Sequence, residues 1–577
     1  MNRFWGVFSL LFFGIFAANA QSSNVPLNKE YYYLLDRYEI LNGGNSDYYT
    51  TVKAYKRSEV ASFIEQMYTD STQQFSLADQ YNLTYLLRDN WEWISDDSLK
   101  ASLAYAERPF LKHFYTAKSD FFSVEESNFD LHVNPVLHFS TGKDNNLDEL
   151  AFINTRGAEV RGVIGNKIGF YFYMTENQSR TPDYIQDEVN KRKSIPGEGY
   201  YKMTSNGAYD YFQAKGYINF NVIDEIDLQF GYDRNFIGNG YRSMVLSDNA
   251  TDYLFFRFNT KVWKLNYTNI FAQMIANNQK GDDGLFPRKY MAFHHLGVDI
   301  TKNLNIGIFE SISYGRDNGF DVTYFNPIIF YRAIEFQLGD NDSAMLGADL
   351  KWNFLKHFQL YGQFVIDDIL LSEFFTGSGW FANKIGGQIG LKYINAFGVD
   401  NLDLQMEYNA ARPYMYTHKG EVNYGNHQHY QQALAHPLGA NFQEVIGIMR
   451  YQPSFMPKLS FVGKMFLSEQ GIDITDEENW GSNIYLDYNV GKPDHGVPNN
   501  TDRNEYGHKI GQGVLSRNLI LDGGLSYQVF HNFFVDMKYT FRWNHISDPE
   551  QPAPIEHKTN FVGMGLRWNI QQKTYDF

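Results

Sequence analysis

From Phe129 onward, apolar side chains recur at every second position, and the alternating runs are joined by connections too short for more than a tight turn. Phe533, Val535, Met537, Tyr539, Phe541 and Trp543 alternate with Asp536, Lys538, Thr540 and Arg542. Val562, Met564, Leu566, Trp568 and Ile570 alternate with Gly563, Gly565, Arg567 and Asn569. Side chains of a strand point alternately to its two faces, so each run has one apolar face and one polar face. A soluble sheet with one wet face satisfies that pattern. The start of the chain weighs against it. Arg3, the apolar stretch Val7 to Phe16, and Ala18-Asn19-Ala20 before Gln21 read as a secretory signal over residues 1–20, and the apolar run is short for a spanning helix. Many such strands behind an export signal favour a transmembrane β-barrel.

Eight short connections lie near Gly165-Asn166, Asp224-Glu225, Thr260-Lys261, Lys302-Asn303, Lys356-His357, Gly398-Val399, Pro453-Ser454 and His531-Asn532. Eight hairpins supply sixteen strands. A run at 129–139 before them and one at 561–570 after them make about 18 antiparallel strands, an even number that brings both ends of the barrel to one side. Short turns are expected in the periplasm. The longer connections, at 175–212, 233–252, 313–345, 410–443, 468–516 and 544–560, are expected outside the cell. The barrel is assigned to 126–577 of an outer-membrane protein of a Gram-negative cell.

Residues 21–125 follow a different period. Val60, Phe63, Ile64, Met67 and Tyr68 have helical spacing, Ser76 and Asp79 resemble a capping box, and Leu83, Leu86, Leu87 and Trp91 form a helical stripe. The reading is a small helical periplasmic domain, either self-contained or plugging the barrel mouth.

The chain has no cysteine, which excludes a lipoprotein anchor and disulfides. With 66 acidic against 50 basic residues, it does not suit nucleic acid. Aromatic residues make up 17%, enough to furnish belts at both membrane interfaces. Two connections are unusual. Tyr324-Phe325-Asn326-Pro327-Ile328-Ile329-Phe330-Tyr331 is too apolar for a solvated loop and is expected to fold inward and narrow the lumen. Asp233 to Arg242 mixes turn residues, aromatics and two arginines.

The run from Phe230 through Gly238-Asn239-Gly240-Tyr241-Arg242 to Ser247-Asp248-Asn249-Ala250 resembles the Wzi capsule-assembly family. So does Phe325-Asn326-Pro327 with Arg332, Glu335 and Leu346-Gly347-Ala348-Asp349-Leu350. Its style is similar to Bacteroidota relatives, including RemB-like gliding-motility outer-membrane proteins. The resemblance implies an eighteen-stranded barrel with lectin-like attachment of surface polysaccharide. In gliding bacteria it implies a component of surface machinery.

Sugar recognition needs aromatic faces and planar polar groups. Arg234, Arg242 and Arg332 offer forks for carboxylates, Tyr241 offers a ring, and Asp248, Asn249, Asn326 and Glu335 can serve hydroxyls. These eight are the candidate ligand-binding residues, against the plainer reading that such groups pair with one another. His418, His427, His429 and His436 crowd one connection without the spacing of a metal set. Gly238-Asn239-Gly240 lacks the βαβ setting of a nucleotide loop, and no catalytic triad is assignable. No cofactor, metal or catalytic residue is expected. The leading function is a non-enzymatic barrel that binds or organises capsular or exopolysaccharide in contact with outer-membrane lipid. The alternatives are a structural subunit of a gliding or secretion apparatus with protein partners, and a diffusion porin. The fold reading predicts heat-modifiable mobility and a β-rich circular dichroism spectrum for detergent-extracted protein. Recovery of the intact mature chain mainly from the soluble fraction would contradict it.

Overall fold

The computed structural model describes residues 21–577 apart from 28–30, 45, 47, 278, 282, 317–318, 320, 329, 340–341, 421, 423, 474–478, 489–504 and 549–550. The expected signal segment, 1–20, lies outside the described residues.

Eighteen antiparallel strands close a barrel. In chain order they are β1 (Phe129–Asp144), β2 (Ala151–Ile164), β3 (Ile168–Arg180), β4 (Tyr209–Ile223), β5 (Ile226–Asp233), β6 (Tyr253–Val262), β7 (Leu265–Ile275), β8 (Arg288–Thr301) and β9 (Leu304–Tyr314). The second half is β10 (Ser343–Phe354), β11 (Phe358–Asp368), β12 (Lys384–Tyr393), β13 (Leu402–Ala411), β14 (Phe442–Tyr451), β15 (Leu459–Ile472), β16 (Val514–Phe530), β17 (Phe533–Ser547) and β18 (Ile555–Trp568). Closure is the β18–β1 ladder, with Val562 opposite Lys143. Full closure leaves no unpaired strand edge for a membrane to cover.

Alternation sets the two faces. Met537, Val562 and Met564 stand exposed on the outer wall, while Asp536 and Thr540 are buried inside. Seven expected turns fall between strands. The third sits at Trp263-Lys264, because Thr260 and Lys261 are still laddered to Tyr267 and Asn266. The connections 145–150, 276–287 and 369–383 join the same end as the six expected long loops. β18 starts earlier than expected and stops at Trp568. Asn569 takes a left-handed φ of 55° and turns the chain into the lumen. Ile570 is therefore buried with Val136, Tyr171, Tyr173 and Tyr217 instead of facing outward.

The stretch around Phe325 does not fold inward. Phe325 packs on Phe256, Phe258 and Phe271, which alternate with the lumen residues Phe255 and Arg257 and so belong to the outer wall. The connection after β9 drapes down the outside of the barrel. The reason is Glu310 of β9, an outward-facing carboxylate that would otherwise meet lipid. It accepts the N–H groups of Tyr331 and Arg332 at 2.8 and 2.9 Å, at the start of a helix spanning Tyr331–Leu338. Orphan amides at a helix start are a favourable site for a carboxylate, and the cover removes the charge from hydrocarbon.

The N-terminal region carries α1 (Tyr32–Leu41), α2 (Arg57–Thr69), α3 (Leu77–Asp89) and α4 (Asp97–Ala104). Their apolar stripes share one core that includes Val60, Phe63, Ile64, Leu83, Leu86 and Trp91. Ser76 caps α3 by accepting the Asp79 N–H at 3.0 Å. The region seats in the short-turn end of the barrel through buried polar groups. Arg37 bridges Asp79, Asp403 of β13 and Asn395 of the adjoining turn. Asp89 accepts from Tyr31 at 2.8 Å, from Arg57 at 3.0 Å and, in the 531–532 turn, from Asn532 at 2.9 Å. Removing one partner of a buried ion pair costs about 3–5 kcal/mol. Asp89→Ala is therefore expected to unseat the helices, so that limited proteolysis degrades them while the barrel keeps its heat-modifiable mobility. A digestion pattern like the parent's would contradict this seating.

Candidate functional site

The lumen is filled from both ends. From the short-turn end comes the segment before α2. From the long-loop end the 234–252 loop descends. They meet in a two-residue ladder, Val52 opposite Ile237 and Lys53 opposite Phe236, extended by the Gly238 N–H to Thr51 carbonyl bond of 2.8 Å. Met244, Val245 and Leu246 of the loop join Ile270, Phe293 and Val365 of the wall in an apolar core inside the barrel.

The glycines of this loop serve close approach. Gly238 has φ 140°, and a Cβ there would stand 2.8 Å from Gln363 Nε2. A Cβ on Gly240 would stand 2.6 Å from a Glu407 carboxylate oxygen. That carboxylate accepts the N–H groups of Tyr241 and Arg242 at 2.7 and 3.1 Å. Ser243 Oγ donates to the Ile237 carbonyl at 2.6 Å. Further along, Ser247 Oγ reaches the Ala435 carbonyl at 2.5 Å, and Asn249 Nδ2 reaches the Ala433 carbonyl at 2.9 Å. The segment Ser247 to Ala250 thus zips this loop to the one between β13 and β14.

The three arginines singled out from the sequence do not converge. Arg234 binds Asp252 at 3.1 Å, the Asp248 carbonyl at 2.9 Å and the Gly197 carbonyl, and so ties its loop to the connection after β3. Arg242 lies between Glu444 at 3.2 Å and Asp576 at 2.9 Å. Arg332 stands on the outer wall beside Glu335, 2.7 Å away. Asn326, also on the outer wall, accepts the Ile328 N–H at 3.1 Å. Asp248 is exposed, facing the lumen cavities. The histidines of the 412–441 loop have separate tasks. His427 bonds the Val245 carbonyl, His429 the Asp252 carbonyl and His436 the Glu444 carboxylate. Burial lowers the pKa of His427 and His429 to about 4, so both are neutral. Among the described residues no group of three or more His, Cys, Asp or Glu side chains is placed to hold a metal.

Among the cavities bordered by the described residues, three lie in line along the lumen. The inner one, about 250 Å³, is bordered by Tyr32, Asp36, Lys53, Lys392, Lys464 and Asp522. The middle one, about 290 Å³, borders Arg234, Tyr241, Arg242 and Asp248. The outer one, about 350 Å³, lies among the long loops and the upper ends of β15 to β17. Its walls carry Lys191, Arg192, Asn249, Gln432, Asn518, Arg542 and Asn544. Arg192 belongs to a helix, Asp183–Arg192, in the connection after β3. Its guanidinium lies 3.9 Å from the ring centre of Tyr485. Arg542 of β17 lies 5.0 Å from the ring centre of Tyr184. Amides, hydroxyls and guanidinium groups on aromatic faces form a surface suited to sugar hydroxyls and carboxylates. Alternation placed Arg542 in the lumen. Arg192 and Tyr485 carried no sequence signal, because nothing local ties the connection after β3 to the one after β15.

This architecture defines a closed transmembrane barrel whose lumen holds the 234–252 loop and the segment before α2, with a polar pocket at its long-loop end. The chain belongs to the Wzi family of capsule assembly proteins, whose family model matches residues 157–535. The Escherichia coli Wzi structure is described as an outer membrane protein involved in group 1 capsule assembly and a carbohydrate-binding β-barrel. It superposes with a TM-score of 0.56 at 12% identity, covering 95% of this chain and 100% of that one. The Pseudomonas aeruginosa OprD structure gives a TM-score of 0.41 at 9% identity, over 77% of this chain and 95% of its own. Acinetobacter baumannii OccAB2 gives 0.39 at 10%, over 77% and 99%. A comparison with curated proteins by sequence finds no match.

The seating of the 234–252 loop is testable. Gly238→Val adds a side chain where Gln363 stands and is expected to lower the temperature of the gel-mobility shift by several degrees. At Gly447 the nearest atom to a new Cβ is the Met465 methyl carbon at 3.6 Å, so Gly447→Ala should match the parent. Equal transitions for both variants and the parent would contradict the packing described.

Proposed function

We propose that this protein is an outer-membrane barrel that holds surface polysaccharide at the outer pocket and does so without catalysis. In this reading the long loops face the cell exterior, the helical region of residues 21–125 faces the periplasm, and residues 1–20 are the export signal. The observation that carries it is the pocket itself: Arg192 stacked on Tyr485, Arg542 beside Tyr184, and a lining of amides. It is supported by membership of a capsule-assembly family and by the carbohydrate binding described for the E. coli barrel of the same fold. The interior contacts argue against the porin reading, since the 234–252 loop and the helical region meet inside the lumen.

A second reading, a subunit of a gliding or secretion apparatus, draws on apolar residues left exposed at the long-loop end. Phe375 is 81% exposed and Leu371 59% exposed on a short helix, Leu371–Thr376, between β11 and β12. Exposed apolar groups in loops suit a protein partner. A Phe375→Ser strain that spreads less on agar while retaining its polysaccharide would favour this reading.

For polysaccharide retention, Arg192→Ala should weaken attachment of polymer to cells by roughly tenfold or more, the scale of one charge-assisted bidentate contact. Arg192→Lys should restore little of it, because the ammonium lacks the planar fork. Arg332→Ala, altered on the outer wall, should retain polymer like the parent. Normal retention by an assembled Arg192→Ala protein would contradict the assignment of the pocket.

A further inference from the structure

After Trp568 the chain re-enters its own barrel, and residues 570–577 run along the lumen past the inner, middle and outer cavities. Gln571, Gln572 and Thr574 border the inner one, and Phe577 borders both the middle and outer ones. The turn that sends the segment inward is fixed. Asn569 donates its N–H to the Asn532 carbonyl at 3.0 Å and its side-chain amide to the Pro135 carbonyl at 2.8 Å. Beyond that turn, no backbone–backbone hydrogen bond joins 570–577 to the wall among the described residues. Side chains hold it. Lys573 binds Glu198 at 2.7 Å and the Tyr211 hydroxyl at 3.0 Å. Asp576 receives Arg242 Nη1 at 2.9 Å and the Tyr241 hydroxyl, and its carbonyl receives Arg242 Nη2 at 2.5 Å. Lys464 stands 3.2 Å from that same hydroxyl.

A guanidinium, a phenol and a nearby ammonium around one carboxylate, with Phe466 5.8 Å from the Tyr241 ring, form a built carboxylate site that the chain fills with its own side chain. Burial works against the charge on Asp576, but Arg242 and Lys464 outweigh it and hold its pKa down at about 2, so it is ionised under all cellular conditions. A segment with no backbone ladder to the wall can exchange its contacts for those of a ligand one by one, without breaking a sheet.

We infer that residues 570–577 are a displaceable stopper, with Asp576 standing in for the carboxylate of an acidic sugar that binds Arg242 and Tyr241 when polymer extends inward from the outer pocket. This rests on the polysaccharide reading and adds to it the uronate class of ligand and a second, deeper subsite. It also predicts that binding is limited by release of the segment, because a ligand shifts such an equilibrium only by its preference for the open form.

The chain's lack of cysteine makes the test direct. Full-length mature Phe577→Cys protein in detergent is labelled with a polar maleimide. Labelling should be slow and should accelerate about tenfold with a saturating oligogalacturonate, the size of shift expected of a modest differential affinity. Carboxyl-reduced oligogalacturonate and polyglutamate should not accelerate it. Introducing Asp576→Asn into the same protein should give fast labelling without ligand, and in the otherwise native chain should tighten oligogalacturonate binding measured by fluorescence polarisation. Gel mobility confirms that each variant is folded. Binding to the parent with unchanged labelling and no gain in Asp576→Asn would overturn the stopper and leave the outer-pocket reading intact. Equal acceleration by the reduced glycan or by polyglutamate would overturn the uronate assignment. Absence of binding to both the parent and Asp576→Asn would overturn the inference together with the polysaccharide reading beneath it.

Discussion

Eighteen strands enclose a lumen wide enough for a water-filled channel, and everything inside this barrel answers that fact. The inner wall is lined with charge. Buried charges are tolerated only when paired and hydrogen-bonded. Here the partners come from the chain itself, as Arg37 on Asp403, Arg242 on Glu444 and Lys392 on Asp36 at 2.7 Å show. The helical region and the 234–252 loop supply the filling, and the ladder between Val52–Lys53 and Phe236–Ile237 joins them. Among the described residues, this filling leaves cavities along the lumen and a polar pocket at the long-loop end.

The same requirement explains why the glycine-aromatic stretch from Phe230 to Ala250 is distinctive. Its glycines let the backbone touch Gln363 and Glu407, Ser243 turns it, and Ser247 and Asn249 fasten it to a neighbouring loop. These are residues of a loop folded into the lumen, which Arg234 pins to Asp252 and Arg242 to Glu444. Outside, Glu310 shows the converse case. A carboxylate on the lipid-facing wall is made acceptable by folding a helix start over it, which draws the Phe325 side of that connection onto the outer surface.

Strand alternation was legible because each inward or outward choice is local and is repeated along every strand. Trp543 and Arg542 are adjacent in sequence and on opposite faces of the wall, as their alternation required. The capped start of α3 at Ser76 was legible for the same reason. The end of β18 was not, since a left-handed Asn569 interrupts a pattern that continues on paper through Ile570. Nor was the side of the wall that the Phe325 stretch takes, because hydrophobicity shows that a segment must be covered and leaves open from which side. The outer pocket draws on residues as distant as Arg192, Tyr485 and Arg542. Only barrel closure brings them together, so no spacing announced them.

That the chain fills its own lumen has an electrical consequence. Single-channel recording of the mature protein in planar bilayers addresses it most directly, with the Asp89→Ala protein as the comparison. The parent should insert without a steady open-channel current, and the variant, its helical region unseated, should show long-lived conductance. A stable open channel from the unaltered, fully folded protein would show that the lumen is not filled.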